Sequence, residues 1–181
     1  MTAKERAKLY PIILCEYNPA WSKWFEDEKS NLERLICAEN IIRISHCGST
    51  SVPGLAAKPT IDILLEISET ANIEELIAVM PPEYICLNKE ALTIPTPPPH
   101  LMFIKGYLPS GFADKVYHIH VRYPGAWDEL LFRDYLIAHP KAAAEYAELK
   151  RRLFQDYEYD RDGYTNAKAA FIQSIICKAK G

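Results

Sequence analysis

The chain has 181 residues, of which 49% are hydrophobic and 25% are charged. A chain of this length buries roughly 70% of its unfolded surface, which is enough for one sizeable core, and we predict a single domain over residues 1–181. Its 21 basic and 24 acidic residues give a net charge of −3, which argues against the wrapping of duplex nucleic acid. The apolar runs fall short of the roughly 18 residues of a membrane span, and no signal-peptide core is visible. We therefore expect a soluble, cytoplasmic protein without a membrane partner.

Hydrophobic spacing predicts strands in the first two thirds of the chain and helices in the last third. Asn18 followed by Pro19 is typical of a helix start, and Trp21 begins an apolar series at helical spacing that continues to Ile36. Further helices are predicted over Ile73 to Met80, Trp127 to Ala138, Ala142 to Phe154 and about Thr165 to Lys178. The predicted strands are Ile41 to Ser45, Thr60 to Ile67, Tyr84 to Leu87, Leu101 to Ile104 and Lys115 to Arg122.

This order of elements predicts an α+β fold, in which a mixed β-sheet carries flanking helices and a C-terminal helical subdomain packs against it. We place the sheet core at about residues 10–122 and the helical part at about residues 123–181. The proline-rich run at 95–99 is too short to separate domains and is typical of a stiff surface loop.

A turn-rich segment at 48–54 follows the first predicted strand. It contains two glycines, three hydroxyl side chains and several backbone amides, with a lysine close by. Glycines let the backbone approach an anion, amides and hydroxyls donate to phosphate oxygens, and a lysine supplies positive charge. The alternative is an ordinary β-turn loop, and the spacing of a Walker loop is absent. The candidate phosphate-binding residues here are Gly48, Ser49, Thr50, Ser51 and Lys58.

Asp62 lies in the second predicted strand. Alternation puts Ile61, Ile63 and Leu65 on the core face and Asp62 on the opposite face. A carboxylate fixed on a strand beside a phosphate-binding loop has the geometry to hold a magnesium ion that bridges nucleotide phosphates. The alternative is a solvated strand residue, but strand propensity disfavours Asp in the middle of a strand, which indicates a specific reason for it.

The last predicted strand carries a His-x-His-x-Arg pattern. Alternation puts His118, His120 and Arg122 on one face, with the imidazoles roughly 6.6 Å apart along the strand, so they can converge on a metal ion or an anion. Arg122 adds a candidate phosphate contact. The alternative interpretation is a pair of half-exposed histidines that hold loops by hydrogen bonds.

Basic and aromatic side chains recur in the helical third. Arg133 lies in the segment Phe132 to Leu136, and Lys168 follows the tyrosine-rich stretch Tyr157 to Tyr164. Such residues can stack on a nucleotide or pair with its phosphates, and Arg133 and Lys168 are candidate phosphate contacts. The alternative is interhelical packing and surface ion pairs.

Motifs from both halves of the chain form one longer pattern, made of the segments Tyr17 to Trp21, His46 to Ile63, His118 to Val121, Phe132 to Leu136, His139 with Pro140, Tyr146 to Lys150 and Tyr164 to Lys168. Together these segments resemble the GrpB family, which is placed within the DNA polymerase beta-like nucleotidyltransferase superfamily. The resemblance covers nearly the whole chain and is most specific in the run from Gly48 to Pro59. It implies a nucleotidyltransferase-like fold in which Gly48 and Ser49 match the superfamily's Gly-Ser signature and Asp62 matches the first catalytic acid.

The chain departs from the superfamily pattern at the second catalytic acid, where the usual Asp-x-Asp is replaced by Asp62 and Leu64. Two-metal nucleotidyl transfer needs adjacent carboxylates, and Glu66 lies roughly 13 Å from Asp62 along the strand, too far to serve. His118 and His120 lie in a strand where the superfamily often places its third acid. The resemblance therefore implies one divalent metal held by Asp62, His118 and His120, which are the predicted catalytic and metal-binding residues. Magnesium or manganese is expected, and imidazole ligands would also suit zinc or iron.

Three functions are compatible with these residues. The first is a metal-dependent nucleotidyltransferase that acts on a small-molecule acceptor, with a nucleoside triphosphate or another phosphorylated small molecule as its partner. The second is a non-catalytic protein that binds a nucleotide or a phosphorylated metabolite at the same loop, with Leu64 marking the lost metal site. The third is a metal-dependent phosphoesterase that uses the His-x-His strand and Asp62. The oligomeric state stays open.

Overall fold

The computed structural model describes residues 2–87 and 101–181. Within these ranges two helices come first, the strands follow with one helix among them, and the last strand is followed by helices alone. The helices are α1 (Ala3–Leu9), α2 (Ala20–Leu35), α3 (Ile73–Val79), α4 (Asp128–Ala138), α5 (Pro140–Tyr157) and α6 (Arg161–Lys180). The strands are β1 (Ile41–Cys47), β2 (Thr60–Ile67), β3 (Ile85–Leu87), β4 (Leu101–Leu108) and β5 (Gly111–Arg122).

The described strands form one mixed sheet in the order β1-β2-β5-β4-β3. The central strands β2 and β5 run parallel to each other, and the other neighbouring pairs are antiparallel. The register of the central pair places Asp62 opposite His118 and Leu64 opposite His120. Because side chains alternate between faces, these four residues share one face of the sheet.

The opposite face of the sheet packs against α2 and α3. Trp21 and Leu32 of α2 and Leu76 of α3 are buried with the apolar face of β2. Helix α2 starts beside Asn18, whose Oδ1 accepts a hydrogen bond from the amide of Ala20 at 2.9 Å, as the sequence pattern predicts. The hydrophobic spacing of β2 therefore identifies the face of the sheet that α2 and α3 cover.

The C-terminal helices cover the face that carries Asp62. Leu64 and Cys47 pack there against Leu130 of α4. The segment after β1 joins a second apolar cluster, in which Val52 and neighbouring residues pack against α4, α5 and α6. Asp62 therefore lies between the sheet and the helical part.

The predicted α+β fold, with its mixed sheet and C-terminal helices, is confirmed, and the differences are one additional helix and the ends of some elements. Helix α1 is not among the predicted elements, and the hairpin of β4 and β5 is longer than predicted. Helix α6 begins at Arg161 rather than near Thr165, because the Asp160 carboxylate accepts a hydrogen bond from the amide of Gly163 at 2.9 Å and caps the helix. The proline-rich run at 95–99 lies outside the described residues. Among the helices that the structure describes, none is both long and apolar enough to cross a membrane.

Candidate functional site

The loop after β1 uses most of its hydroxyl groups internally. Gly48 has a φ of +69°, a conformation that favours glycine, and it turns the chain into a short 3-10 turn. The Thr50 hydroxyl donates to the first carbonyl of β2 at 3.1 Å, and the Ser51 hydroxyl donates to the carbonyl of Gly48 at 2.5 Å. The Ser49 side chain instead shares a hydrogen bond with Tyr146 of α5. The loop is thus rigid, and Ser49 connects it to the helical part.

His46 supports the loop as a neutral imidazole. Burial lowers the pKa of His46 to about 4, so the ring carries no charge at neutral pH. The ring stacks on Phe25 with centroids 4.9 Å apart, and its Nε2 lies 3.0 Å from the Thr50 hydroxyl. Arg133 donates from Nη1 to the carbonyl of His46 at 2.8 Å and also pairs with Asp134. Arg133 is therefore bound to the end of β1.

Asp62 and the two histidines of β5 form one cluster. Oδ1 of Asp62 lies 3.4 Å from Nδ1 of His118 and 3.6 Å from Nε2 of His120. Burial raises the pKa of Asp62, but the contacts with His118 and His120 lower it more, and the net pKa lies well below the usual range of an aspartate. Asp62 is therefore ionised at neutral pH, and its side chain is 30% exposed.

Tyr107 and Arg161 hold His118 from the side away from Asp62. The Tyr107 hydroxyl lies 2.7 Å from Nε2 of His118, and the two rings are stacked with centroids 5.9 Å apart. Nη2 of Arg161 donates to the same hydroxyl at 3.0 Å. These contacts link the start of α6 to the carboxylate of Asp62 and fix the orientation of the His118 imidazole.

The donor atoms around Asp62 suit a metal that arrives with a phosphorylated ligand. Residues 2–87 and 101–181 contain no group of three or more His, Cys, Asp or Glu side chains arranged to hold a metal ion. Leu64, two residues after Asp62 on the same strand face, is fully buried against Cys47 and Leu130. Magnesium commonly binds through one or two carboxylates together with substrate phosphates and water, and one carboxylate, Asp62, is present for it. The metal-binding role of the imidazoles stays a prediction.

Three lysine ammonium groups gather in the same region. Lys150 of α5 is 2% exposed, and its ammonium donates to the carbonyl of Ala56. Burial, followed by the charges of Lys168 and Lys58, lowers the pKa of Lys150 to about 7. Burial and Lys58 lower the pKa of Lys168 to about 8, while burial and Arg161 lower the pKa of Lys58. A bound anion would relieve this mutual repulsion.

Two of these lysines belong to a repeated Tyr-x-x-x-Lys pattern. Tyr146 and Lys150 are four residues apart on α5, and Tyr164 and Lys168 are four residues apart on α6. The lysine Nζ lies 4.5 Å from the ring centroid in the first pair and 4.3 Å in the second, as expected for neighbours one helical turn apart. Lys150 and both tyrosines are absent from the predicted site residues, and this repeat is the signal that points to them.

The loop, the acid and the lysines line one cleft of about 820 Å³ between the sheet and the helical part. Small-molecule sites have volumes of roughly 300–1,000 Å³. Trp127 also lines the cleft, with the guanidinium carbon of Arg122 5.9 Å from its ring centroid. Of the predicted site residues, Ser51, His120 and Arg133 do not line the cleft, whereas the structure brings the following together there: Gly48, Ser49, Thr50, Lys58, Asp62, His118, Arg122 and Lys168.

Comparison with known proteins identifies the family. The family model described as GrpB protein matches residues 11–178. The chain belongs to the GrpB family. It is 32% identical over 179 residues to UPF0157 protein YqkA of Bacillus subtilis (strain 168), with 95% of this chain and 49% of that protein covered. It is also 32% identical over 167 residues to glutamate-rich protein GrpB of Alkalihalophilus pseudofirmus, with coverage of 91% and 94%.

The GrpB-family fold is also known from a solved structure. The crystal structure of conserved protein GrpB from Enterococcus faecalis matches with a TM-score of 0.73 at 31% identity, covering 92% of this chain and 96% of that chain. The chain thus spans about half the length of YqkA but nearly all of the other two GrpB relatives. None of these three descriptions names a reaction or a ligand. The activity of this GrpB-family chain therefore has to be argued from its cleft.

Proposed function

We propose that this chain is a nucleotidyltransferase-like protein that binds a nucleoside triphosphate, or another phosphorylated small molecule, in the cleft and acts on a small-molecule acceptor. The observation that carries the proposal is that three lysines, one buried and two half-buried, line a single cleft together with the Gly48 loop and one ionised carboxylate. Cations and loop donors are the groups that bind phosphate, and an acid beside them is the group that holds a phosphate-bound metal. The net charge of −3 favours a small acceptor over nucleic acid.

The lysines and the loop supply the phosphate contacts in this proposal. Lys58, Lys150 and Lys168 neutralise the charge of the phosphates, and Ser49 is the loop hydroxyl at the boundary with α5. Trp127 offers an aromatic face in the same cleft on which a nucleobase can stack. These contacts bind and orient a phosphorylated ligand without any further group.

Asp62 supplies the metal contact in this proposal. Its carboxylate is ionised, and His118, itself held by Tyr107, keeps it oriented beside the loop. A divalent ion bound there, magnesium or manganese, would neutralise charge on the phosphates as a pyrophosphate group leaves. The Asp62 carboxylate would bind that ion, and His118 would hold the carboxylate in place.

Leu64 supports a second candidate, a protein that binds the same ligand without catalysing transfer. Its side chain is fully buried where two-metal chemistry requires a carboxylate. A cleft with an intact phosphate site and one acid would retain the ligand and turn it over slowly or not at all. Release of pyrophosphate separates the two candidates.

The test is calorimetric titration of metal-stripped protein with ATP, CTP, GTP and UTP, with and without magnesium or manganese. We expect binding of at least one nucleotide, loss of the metal dependence in Asp62→Asn, and a loss of about tenfold or more in affinity in Lys168→Met, since a hydrogen bond to a charged group contributes about 1.5–3 kcal/mol. The control variants Asp156→Asn and Lys141→Met change exposed residues of α5 outside the cleft and should leave binding unchanged. Absence of binding by the unmodified protein to every nucleotide and to pyrophosphate would overturn the proposal.

A second measurement addresses the chemistry. The protein is incubated with each bound nucleotide and a panel of small hydroxyl and amine acceptors, and released pyrophosphate is measured. Metal-dependent release that Asp62→Asn abolishes supports the transferase. Tight binding without release supports the non-catalytic candidate.

A further inference from the structure

The cleft contains a buried hydroxyl without a partner. Tyr164 of α6 lines the cleft and is 0% exposed, and its Oη makes no hydrogen bond to any residue that the structure describes. Most buried polar side chains in folded proteins have a partner, and leaving one unsatisfied costs about 1–3 kcal/mol. A buried, unpaired hydroxyl in a binding cleft points to a partner that the ligand supplies.

The surroundings of Tyr164 define the chemistry of that partner. Nζ of Lys168 lies 4.3 Å from the Tyr164 ring centroid, and Nζ of Lys58 lies 5.7 Å from it. The charges of Lys168 and Lys58 also act on Lys150. Two ammonium groups therefore lie close to the Tyr164 ring, and their charges reach a third lysine. A hydroxyl in this setting donates to an anionic oxygen, because ammonium groups cannot accept a hydrogen bond.

The burial of Tyr164 then decides which part of the ligand can reach its hydroxyl. Tyr164 is 0% and Lys150 is 2% exposed, so a ligand group that reaches either side chain is enclosed by protein. An enclosed position admits the end of a molecule rather than the middle of an extended chain. The positive charges of the three lysines match a terminal group with two negative charges better than a carboxylate or a phosphodiester, each of which has one.

We propose that the Tyr164 hydroxyl donates a hydrogen bond to a terminal, dianionic phosphate of the ligand, which Lys58, Lys150 and Lys168 neutralise. This assignment rests on the proposed function, since it places one end of the phosphorylated ligand in the same cleft. It adds Tyr164 as a binding residue, and it restricts the ligand to molecules with a terminal phosphate: a nucleoside triphosphate or a phosphomonoester. A phosphodiester is excluded.

The variant Tyr164→Phe tests the hydroxyl alone, because the ring and its packing remain. Removal of an unsatisfied buried hydroxyl should raise the melting temperature of the ligand-free protein, while the affinity for ATP and for methyl phosphate should fall about tenfold. Tyr10→Phe is the matched control, because the Tyr10 hydroxyl already donates to the carbonyl of Leu108 at 2.6 Å and lies outside the cleft. That variant should leave both affinities unchanged.

The outcomes separate this inference from the proposed function. If the unmodified protein binds ATP or methyl phosphate and Tyr164→Phe binds it equally well, the role of Tyr164 is wrong and the proposed function stands. Binding of dimethyl phosphate as tightly as methyl phosphate would overturn the requirement for a dianion. If the unmodified protein binds no phosphorylated ligand at all, the proposed function fails, and this assignment fails with it.

Discussion

Gly48 lies directly against the carboxyl group of Asp62. A Cβ atom built on Gly48 would overlap Oδ2 of Asp62 and would lie 3.0 Å from its Cβ and Cγ atoms. The loop backbone and the acid are therefore fitted to each other, and the space between them is too small for any side chain at position 48. This contact is the physical basis for the pairing of the Gly-Ser loop with the acid on the next strand.

The substitution Gly48→Ala should displace the Asp62 carboxylate. The positive φ of +69° and the overlap with Oδ2 both oppose a Cβ atom. We expect a stability loss of about 1–3 kcal/mol, together with loss of metal-dependent nucleotide binding. Gly54→Ala is the matched control, because Gly54 has a φ of +78° but no atom within 4 Å of the added Cβ. It should lose stability through the same backbone strain and retain binding, as measured by denaturant unfolding and calorimetry.

The substitution Leu64→Asp, which restores the Asp-x-Asp pattern, should destabilise the chain. Leu64 is fully buried against Cys47 and Leu130, and an aspartate there would be buried without a partner of opposite charge in that apolar cluster. We expect a stability loss of about 3 kcal/mol or more, measured by urea unfolding. Leu64→Met, which keeps volume and polarity, should cost less than about 1.5 kcal/mol. An unchanged unfolding midpoint for Leu64→Asp would contradict the packing described here.

Affinity for a phosphorylated ligand should fall as the pH rises above about 7. The pKa values of Lys150 and Lys168 in the free protein are about 7 and about 8, so both lysines lose protons in this range and must regain them to bind an anion. For each proton that must be taken up on binding, the affinity falls by up to about tenfold per unit rise in pH. Burial is the largest cause of both lowered pKa values; the charges of Lys168, Lys58 and Arg151 lower that of Lys150 further, and for Lys168 the charges of Lys58 and Arg161 lower it while Asp62 raises it.

This pH dependence is measured by titration with ATP at several pH values in the unmodified protein and in Lys150→Met. The ligand's own titration is common to both proteins, so the difference between the two slopes isolates Lys150. We expect weaker binding and a flatter slope in the variant. Parallel slopes would show that Lys150 does not change its protonation when the ligand binds.

The stability of the ligand-free protein should depend on pH in the opposite direction. The pKa of Lys150 falls from an ordinary value of 10.5 in the unfolded chain to about 7 in the folded chain. Below pH 7 the lysine is protonated in both states, and between about 7 and 10.5 only the unfolded chain binds the proton, so stability rises with pH in this window. Between about pH 6.5 and 8.5, Lys150→Met should show a smaller rise in the free energy of unfolding, with Lys141→Met as control. An equal rise in the free energy of unfolding in both variants would contradict the lowered pKa of Lys150 in the folded chain.

The central strands and the loop could be predicted from the sequence because their signals are local. Strict alternation identifies the face of β2 that carries Asp62, and the glycine that begins the loop marks the turn beside it. The parallel pairing of β2 with β5, which brings His118 opposite Asp62, is marked in neither segment alone and was not predicted. The resemblance implied only that the two histidines lie in a strand where the superfamily often places its third acid.

The partners of several polar side chains could not be predicted, since they depend on distant packing. Arg133 is of the residue type that often contacts phosphate, but its guanidinium donates to the carbonyl of His46, 87 residues away in the chain. Lys150 has the spacing of an ordinary helix-surface lysine, and only the docking of α5 over Ala56 buries it. Charged residues on helices are usually solvated, so the Tyr-x-x-x-Lys repeat singles out Lys150 without showing that it is buried.

The two Tyr-x-x-x-Lys pairs lie on the last two helices, whereas the Gly48 loop and Asp62 belong to the first half of the chain. Lys150 and Lys168 consequently come together with the acid only when α5 and α6 have docked onto the sheet. A ligand that spans both sets of residues binds the assembled protein and not a partly folded chain that lacks the helices. Such a ligand would slow unfolding by resisting separation of the helices from the sheet.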